Sequence, residues 1–338
     1  MSDSFTIWFD RRPTPELADL VPADINAMWS DSDDHLDGIE QADGLIAGAS
    51  IIYDESVFKR AADLRVLARM GIGFDNVVLD DATAAGVAAC NTPDGPTIST
   101  AEHALALIFA ITKQLKESER QLQRQEGNYV ARHNALELDG ANLTLIGLGR
   151  IGSRVARVAI AAGLRVSAYD PFESAELFET LGVRRFDDLQ EAVSEAQIIS
   201  IHAPLNSETR HLVDTDLISN MLEGVFIVNT ARGALVDDDA LLEGLNAGKI
   251  RGAGIDVTDP EPLPAGHPLL EHESVLVTPH VASATTAGRK RIFTMALDQI
   301  LTAFAASKPS PLLNPEVWSG QPSAIEDGER ISGQHFQF

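Results

Sequence analysis

Short apolar runs alternate with amphipathic segments along nearly the whole chain, the rhythm of parallel strands joined by helices. In the first hundred residues the runs predict strands at 5–9, 43–47, 65–70 and 87–90. Helices are expected between them, for example at 54–61 and 79–85, with Gly86 as the stop of the second. A longer helical pattern covers 99–124, with apolar positions at Leu105, Ile108, Ile111 and Leu115 and with Pro96 and Ser99 at its entry. Residues 125–139 are polar and irregular. Strands are then expected at 142–146, 164–169, 198–202, 225–230, 254–257 and 275–278, with a helix at 150–162 and a last one at 285–306. Past Pro309 the chain turns rich in Gly, Ser and Pro, and 319–338 reads as a tail. No repeat of solenoid period is visible.

Composition narrows the class. At 338 residues the chain is long enough for two cores. Hydrophobic residues at 44% and charged residues at 22% are a globular balance. No apolar run reaches the roughly 18 residues of a membrane span, and residues 1–10 lack the basic start of a secretory leader. The single cysteine, Cys90, fits a reducing cytoplasm, and no Cys/His cluster has zinc spacing, so no metal is expected. A formal charge of −24 would repel a phosphate backbone, which argues against nucleic-acid partners but not against a small anion held by one arginine.

The chemistry enters at residues 143–152, a strand that opens into a helix through Gly147-Leu148-Gly149-Arg150-Ile151-Gly152. Gly147 permits the tight turn, Gly149 the close approach of a pyrophosphate, and Gly152 close packing of helix on strand. The free N–H groups and dipole of the helix start then face the anion. The next strand ends in Asp170, placed to accept from the adenosine ribose hydroxyls and to repel a 2′-phosphate. Pro171 and Phe172 follow it rather than arginine, which favours NAD over NADP. The motif lies in mid-chain. A first domain is therefore expected at 1–98, completed by 285–318, around a dinucleotide-binding domain at 99–284.

Several ordered blocks accompany the glycines. They are Met70 to Asn76, His202-Ala203-Pro204-Leu205 with Glu208-Thr209, Val228 to Gly233, Gly254 to Val257 with Pro260-Glu261-Pro262, and Thr278-Pro279-His280. With them the chain resembles the D-isomer-specific 2-hydroxyacid dehydrogenase family over about residues 47–306. The resemblance implies an α/β fold of two doubly wound parallel sheets, a flavodoxin-like substrate domain and a Rossmann NAD domain, with a cleft between them. It implies Arg232 as the anchor of the substrate carboxylate, His280 as general acid/base and Glu261 as the partner that fixes its tautomer. The backbone at Ile72 and Gly73 would meet the same carboxylate. Around the cofactor it adds Thr100, Arg150, Ile151, His202, Ala203, Pro204, Thr209, Thr230, Ala231, Arg232, Asp256, His280 and Ala282. Read alone, Arg232 would be a structural ion pair, His280 a loop residue and Glu261 a solvated loop acid.

The implied activity is hydride transfer between NAD(H) and C2 of a small 2-hydroxy or 2-oxo acid, in a cytoplasmic homodimer. Glu261 stands where related formate dehydrogenases carry Gln, and Ile72 where phosphite dehydrogenases carry Lys, so formate and phosphite are disfavoured. Phosphoglycerate dehydrogenases usually have arginine near Gly48 and a regulatory domain after the last helix. That weakens, but leaves open, a phosphorylated substrate. The rival of another class is a non-catalytic NAD(H)-sensing interaction protein of the corepressor kind. Such proteins share the fold and retain all three catalytic residues. His35, His103, His133, His211, His267 and His272 receive no role.

Overall fold

The apolar runs become short parallel strands in the computed structural model of the chain, which describes residues 4–320. The contacts divide it into two units, Met1–Gly95 with Lys290–Phe338, and Pro96–Arg289.

The first unit holds β1 (Thr6–Phe9), β2 (Asn26–Trp29), β3 (Gly44–Ala47), β4 (Val66–Arg69) and β5 (Ala88–Asn91), all parallel, in the order β2-β1-β3-β4-β5. The order reverses at β1/β3, the flavodoxin-like arrangement. Four of the strands are buried along their full length, so they read as continuous apolar runs. β2 is the exception. It is an edge strand with no fully buried position, and its sequence gave no such run. One face of the sheet is covered by the last helix, Thr286–Phe304, whose Phe293, Ala296, Leu297 and Ile300 pack on Ile7, Phe9, Ile46 and Ala68. Gly44 makes room for it, because a Cβ there would lie 2.7 Å from the Ile300 side chain. Cys90 is buried in β5, and burial pushes its thiol up to about 12.

The second unit holds β6 (Asn142–Ile146), β7 (Arg165–Tyr169), β8 (Arg184–Phe186), β9 (Ile198–Ile201), β10 (Val225–Asn229), β11 (Ile250–Ile255) and β12 (Val275–Val277). They form one seven-stranded sheet, β12-β11-β10-β9-β6-β7-β8, with all neighbouring strands parallel. The order reverses between β6 and β9, the switch point where open sheets of this kind take ligands at their C-terminal ends. The helices Thr97–Thr112 and Arg150–Ala161 pack on one face around Leu107, Ile108, Leu145 and Val155. Helices Leu189–Ser194, Thr215–Asn220 and Asp238–Asn246 cover the other, around Ile199, Leu217, Ile227 and Leu241.

Two elements differ from expectation. The helix expected over 99–124 is two, Thr97–Thr112 and Leu115–Gln123, because Gln114 turns left-handed at φ 51°. The second helix buries none of its residues, so no core continues the line of the first. The strand expected at 254–257 runs from Ile250 to Ile255. Its glycines hid it, yet they are what the packing needs: a Cβ on Gly254 would lie 3.0 Å from the Leu107 side chain. The tail expected over 319–338 falls, from residue 321 on, outside the described residues. Among the described residues no helix is long and apolar enough to cross a membrane.

Candidate active site

The glycine turn follows β6 at the switch point. Gly147 sits at φ 100°, and a Cβ on it would lie 2.8 Å from the main chain of His202, so the turn passes directly over the end of β9. A Cβ on Gly152 would meet the carbonyl oxygen of Gly147 at 2.3 Å, which locks the helix start against the turn. Gly149 is different: nothing lies within 4 Å of the place its Cβ would take. It is also the N-cap of the helix Arg150–Ala161 and offers that helix no side-chain cap. Open space above a glycine, in front of a helix start of 12 residues, is a cradle that fits a pyrophosphate.

Asp170 closes this turn. Its Oδ2 accepts from Leu148 N at 2.8 Å, and its Oδ1 accepts from Phe172 N and Glu173 N at 3.0 and 3.3 Å. The carboxylate is thereby fixed at the end of β7, and Phe172 beside it is 86% exposed. Arg150 and Ile151 open the helix. His202 lies under the turn, where its Nε2 meets Ser200 Oγ at 3.0 Å. Burial pushes its imidazole down to about 4, so the ring is neutral at neutral pH. After His202 and Ala203, Thr209 Oγ1 donates to Pro204 O at 2.7 Å and Asn206 accepts from Glu208 N and Thr209 N. Thr230 follows β10, and its buried hydroxyl has no hydrogen-bond partner among the described residues. Thr100 is buried near the start of the helix Thr97–Thr112. These positions suit the turns and the anion of a dinucleotide.

The three residues expected to do the chemistry all belong to the second unit. His280 Nδ1 and Glu261 Oε1 lie 2.5 Å apart, both side chains a little over a third exposed. The imidazole therefore donates through Nδ1 to the carboxylate and presents Nε2 outward. His280 holds φ 51°, a left-handed backbone that side chains rarely adopt and that the surrounding bonds must hold. Arg232 follows β10. Asn229 fixes it, donating from Nδ2 to Arg232 O at 2.7 Å and accepting from Ala231 N at 3.0 Å. Arg232 itself donates from Nη1 to Ala231 O at 2.7 Å. Gly233 lets this segment press on the neighbouring loop, since a Cβ there would lie 2.1 Å from the main chain of Thr258.

Asp256 joins the two loops. It is 1% exposed, and its N donates to Asn229 O at 2.9 Å while its O accepts from His280 N at 2.7 Å. Its carboxylate accepts from Thr278 Oγ1, Val281 N and Ala282 N at 2.6, 3.0 and 2.9 Å. Burial opposes its charge. Hydrogen bonds from His103, then Thr278, Val281 N and Ala282 N, outweigh that and hold the carboxyl below its ordinary range. His103 received no role from the sequence, yet it reaches this centre. One signal was available: it stands one helical turn before the buried Leu107, a polar residue in line with the core face.

Ile72 and Gly73 lie in the first unit, after β4. Asn91 Nδ2 donates to Ile72 O at 2.6 Å, and Gly71, at φ 139°, is clasped through N–H and C=O by Thr92. The loop is thus anchored by its carbonyls. In the same unit a Cβ on Gly48 would lie 2.1 Å from the Asp10 carboxylate, whose pKa burial raises. Among the described residues no cluster of three or more His, Cys, Asp or Glu could hold a metal.

Residues 105–282 match the family model described as D-isomer specific 2-hydroxyacid dehydrogenase, NAD binding domain. The chain is 37% identical over 265 residues to D-3-phosphoglycerate dehydrogenase of Methanocaldococcus jannaschii, covering 78% of this chain and 50% of that protein. It therefore spans about half the length of that relative. It is 34% identical over 296 residues to glyoxylate reductase of Korarchaeum cryptofilum, covering 86% of this chain and 88% of the relative. A crystal structure of D-lactate dehydrogenase from Aquifex aeolicus, complexed with NAD and lactic acid, matches with a TM-score of 0.77 at 26% identity, covering 93% of this chain and 98% of that one.

Proposed function

The chain belongs to the D-isomer specific 2-hydroxyacid dehydrogenase family, and from that premise we propose that it moves a hydride between NAD(H) and C2 of a small 2-hydroxy or 2-oxo acid. The observation that carries this reading is the 2.5 Å His280–Glu261 contact, on a loop that Asp256 ties to the segment bearing Arg232. An imidazole whose Nδ1 is engaged by a carboxylate has its Nε2 free to exchange a proton with a substrate oxygen.

NAD(H), when bound, supplies or accepts the hydride at C2. The turn Gly147–Gly152, with Arg150 and Ile151, takes its pyrophosphate, and Asp170 takes the adenosine ribose. Thr100, His202, Ala203, Pro204, Thr209, Thr230, Ala231, Asp256 and Ala282 complete its contacts. Arg232 holds the substrate carboxylate through its planar fork and polarises the adjacent carbonyl. The resemblance assigns the backbone at Ile72 and Gly73, in the first unit, a substrate-binding role as well. His280, braced by Glu261, protonates the oxygen in reduction and withdraws the proton in oxidation. The first unit is accordingly the substrate domain and the second the NAD domain.

We assign a substrate without phosphate, because Gly48 stands near the place where phosphoglycerate dehydrogenases usually carry arginine. A homodimer in a reducing cytoplasm accompanies this reading, and sedimentation checks the first part. The deciding experiment is NADH consumption with glyoxylate, hydroxypyruvate, pyruvate, branched and aromatic 2-oxo acids and 3-phosphohydroxypyruvate. Turnover of one or more unphosphorylated acids is expected. Preference for the phosphorylated one would move the assignment to phosphoglycerate dehydrogenase, and NADH binding with no turnover of any would replace the enzyme by an NAD(H)-sensing protein.

A further inference from the structure

We infer that His103 is a positioning residue for the proposed reaction: it donates from Nε2 into the Thr278–Asp256 pair and so holds the loop that carries His280. The inference rests on the reading of the site given above. His103 Nε2 lies 3.0 Å from Thr278 Oγ1 and 3.4 Å from Asp256 Oδ1. The Thr278 hydroxyl has one hydrogen, and at 2.6 Å it gives it to Asp256 Oδ1. Its oxygen can then only accept from His103. Both neighbours of Nε2 are acceptors, so Nε2 carries a hydrogen, and the tautomer follows from the network.

The consequence travels through Asp256. Its carboxylate accepts from the main-chain N–H groups of Val281 and Ala282, the two residues after His280. Its own carbonyl accepts from His280 N. A histidine held at φ 51° depends on such bonds to keep its ring aimed. The carboxylate is buried, and a donor is needed to keep it charged there. The ionisable group that faces it is His103 from the helix; Thr278 and the amides of Val281 and Ala282 complete its surroundings.

The test compares His103→Leu, which removes the donor, with His103→Gln, which can restore an N–H near the same place. His103→Leu is expected to lower kcat about tenfold or more at pH 7. Its kcat should also fail at higher pH than wild type as the solution is acidified, since an undonated Asp256 takes up a proton sooner. His103→Gln should recover both. Independently of turnover, long-range nitrogen–proton NMR of the imidazoles should show a slowly exchanging hydrogen on Nε2 of His103. Wild-type kcat and acid limb in His103→Leu, no recovery in His103→Gln, or an Nε2 without hydrogen would each overturn the inference. If wild type reduced no 2-oxo acid, the site reading would fall, and the NMR arm would still decide the hydrogen bond. If His103→Leu did not fold, His103→Gln and the NMR arm would decide it.

Discussion

Alanine placed singly at Gly149 and at Gly152 should separate two costs that the same turn combines. At Gly152 the new Cβ would stand 2.3 Å from Gly147 O, roughly 1 Å inside normal contact, and the obstacle is backbone. The helix start or the turn must move, an overpacking cost of about 1–3 kcal/mol. In a unit of this size each kcal/mol lowers Tm by about 2–4 °C. At Gly149 the Cβ meets nothing within 4 Å, so Gly149→Ala should leave Tm almost unchanged. It would instead intrude on the pyrophosphate and weaken the charge-assisted N–H contacts there, worth about 1.5–3 kcal/mol each. NADH affinity should fall about 10- to 100-fold. Fluorescence titration with NADH and thermal unfolding of both variants read the two effects. If Gly149→Ala bound NADH as tightly as wild type, the cradle would lie elsewhere. An unchanged Tm in Gly152→Ala would show that the close packing is not real.

His280→Ala should lower kcat about 10²–10⁴-fold with NADH affinity retained, as steady-state kinetics and titration will show. Arg232→Lys keeps the charge and loses the fork, so KM for the 2-oxo acid should rise more than kcat falls. The half-buried His202, whose imidazole is desolvated, contributes a pH dependence of stability. Its folded pKa, about 4, lies below the unfolded 6.5, so the unfolded chain binds the extra proton between those values. Stability should therefore be full above pH 6.5 and decline as pH falls toward 4. Denaturant unfolding of His202→Gln should show a shallower decline over that window.

Much of the architecture was legible because parallel strands covered on both faces are written as unbroken apolar runs; Val225–Asn229 is one, buried throughout. Where that condition fails, the signal fails too. β2, at a sheet edge, has no buried position to announce it. Ile250–Ile255 has glycines where helix side chains need room, so its period was broken by the packing it serves. The break at Gln114 depends on a backbone twist rather than on any breaker residue. At the site, the glycine spacing and the blocks around Arg232, Glu261 and His280 could be read because each is local in sequence. His103 carried only its place on the core face of its helix as a signal; its role was not readable, since its partners Thr278 and Asp256 are brought to it only by the stacking of the helix on the sheet.

The central claim is hydride transfer at C2 with His280 as the proton donor. Reduction of a 2-oxo acid turned over by the wild-type protein, run with NADH deuterated at both nicotinamide C4 positions and followed by NMR of the product, tests it most directly. The account predicts a 2-hydroxy acid with deuterium on C2, and its near loss in His280→Ala. A product without deuterium at C2, or undiminished formation of it by His280→Ala, would contradict the account.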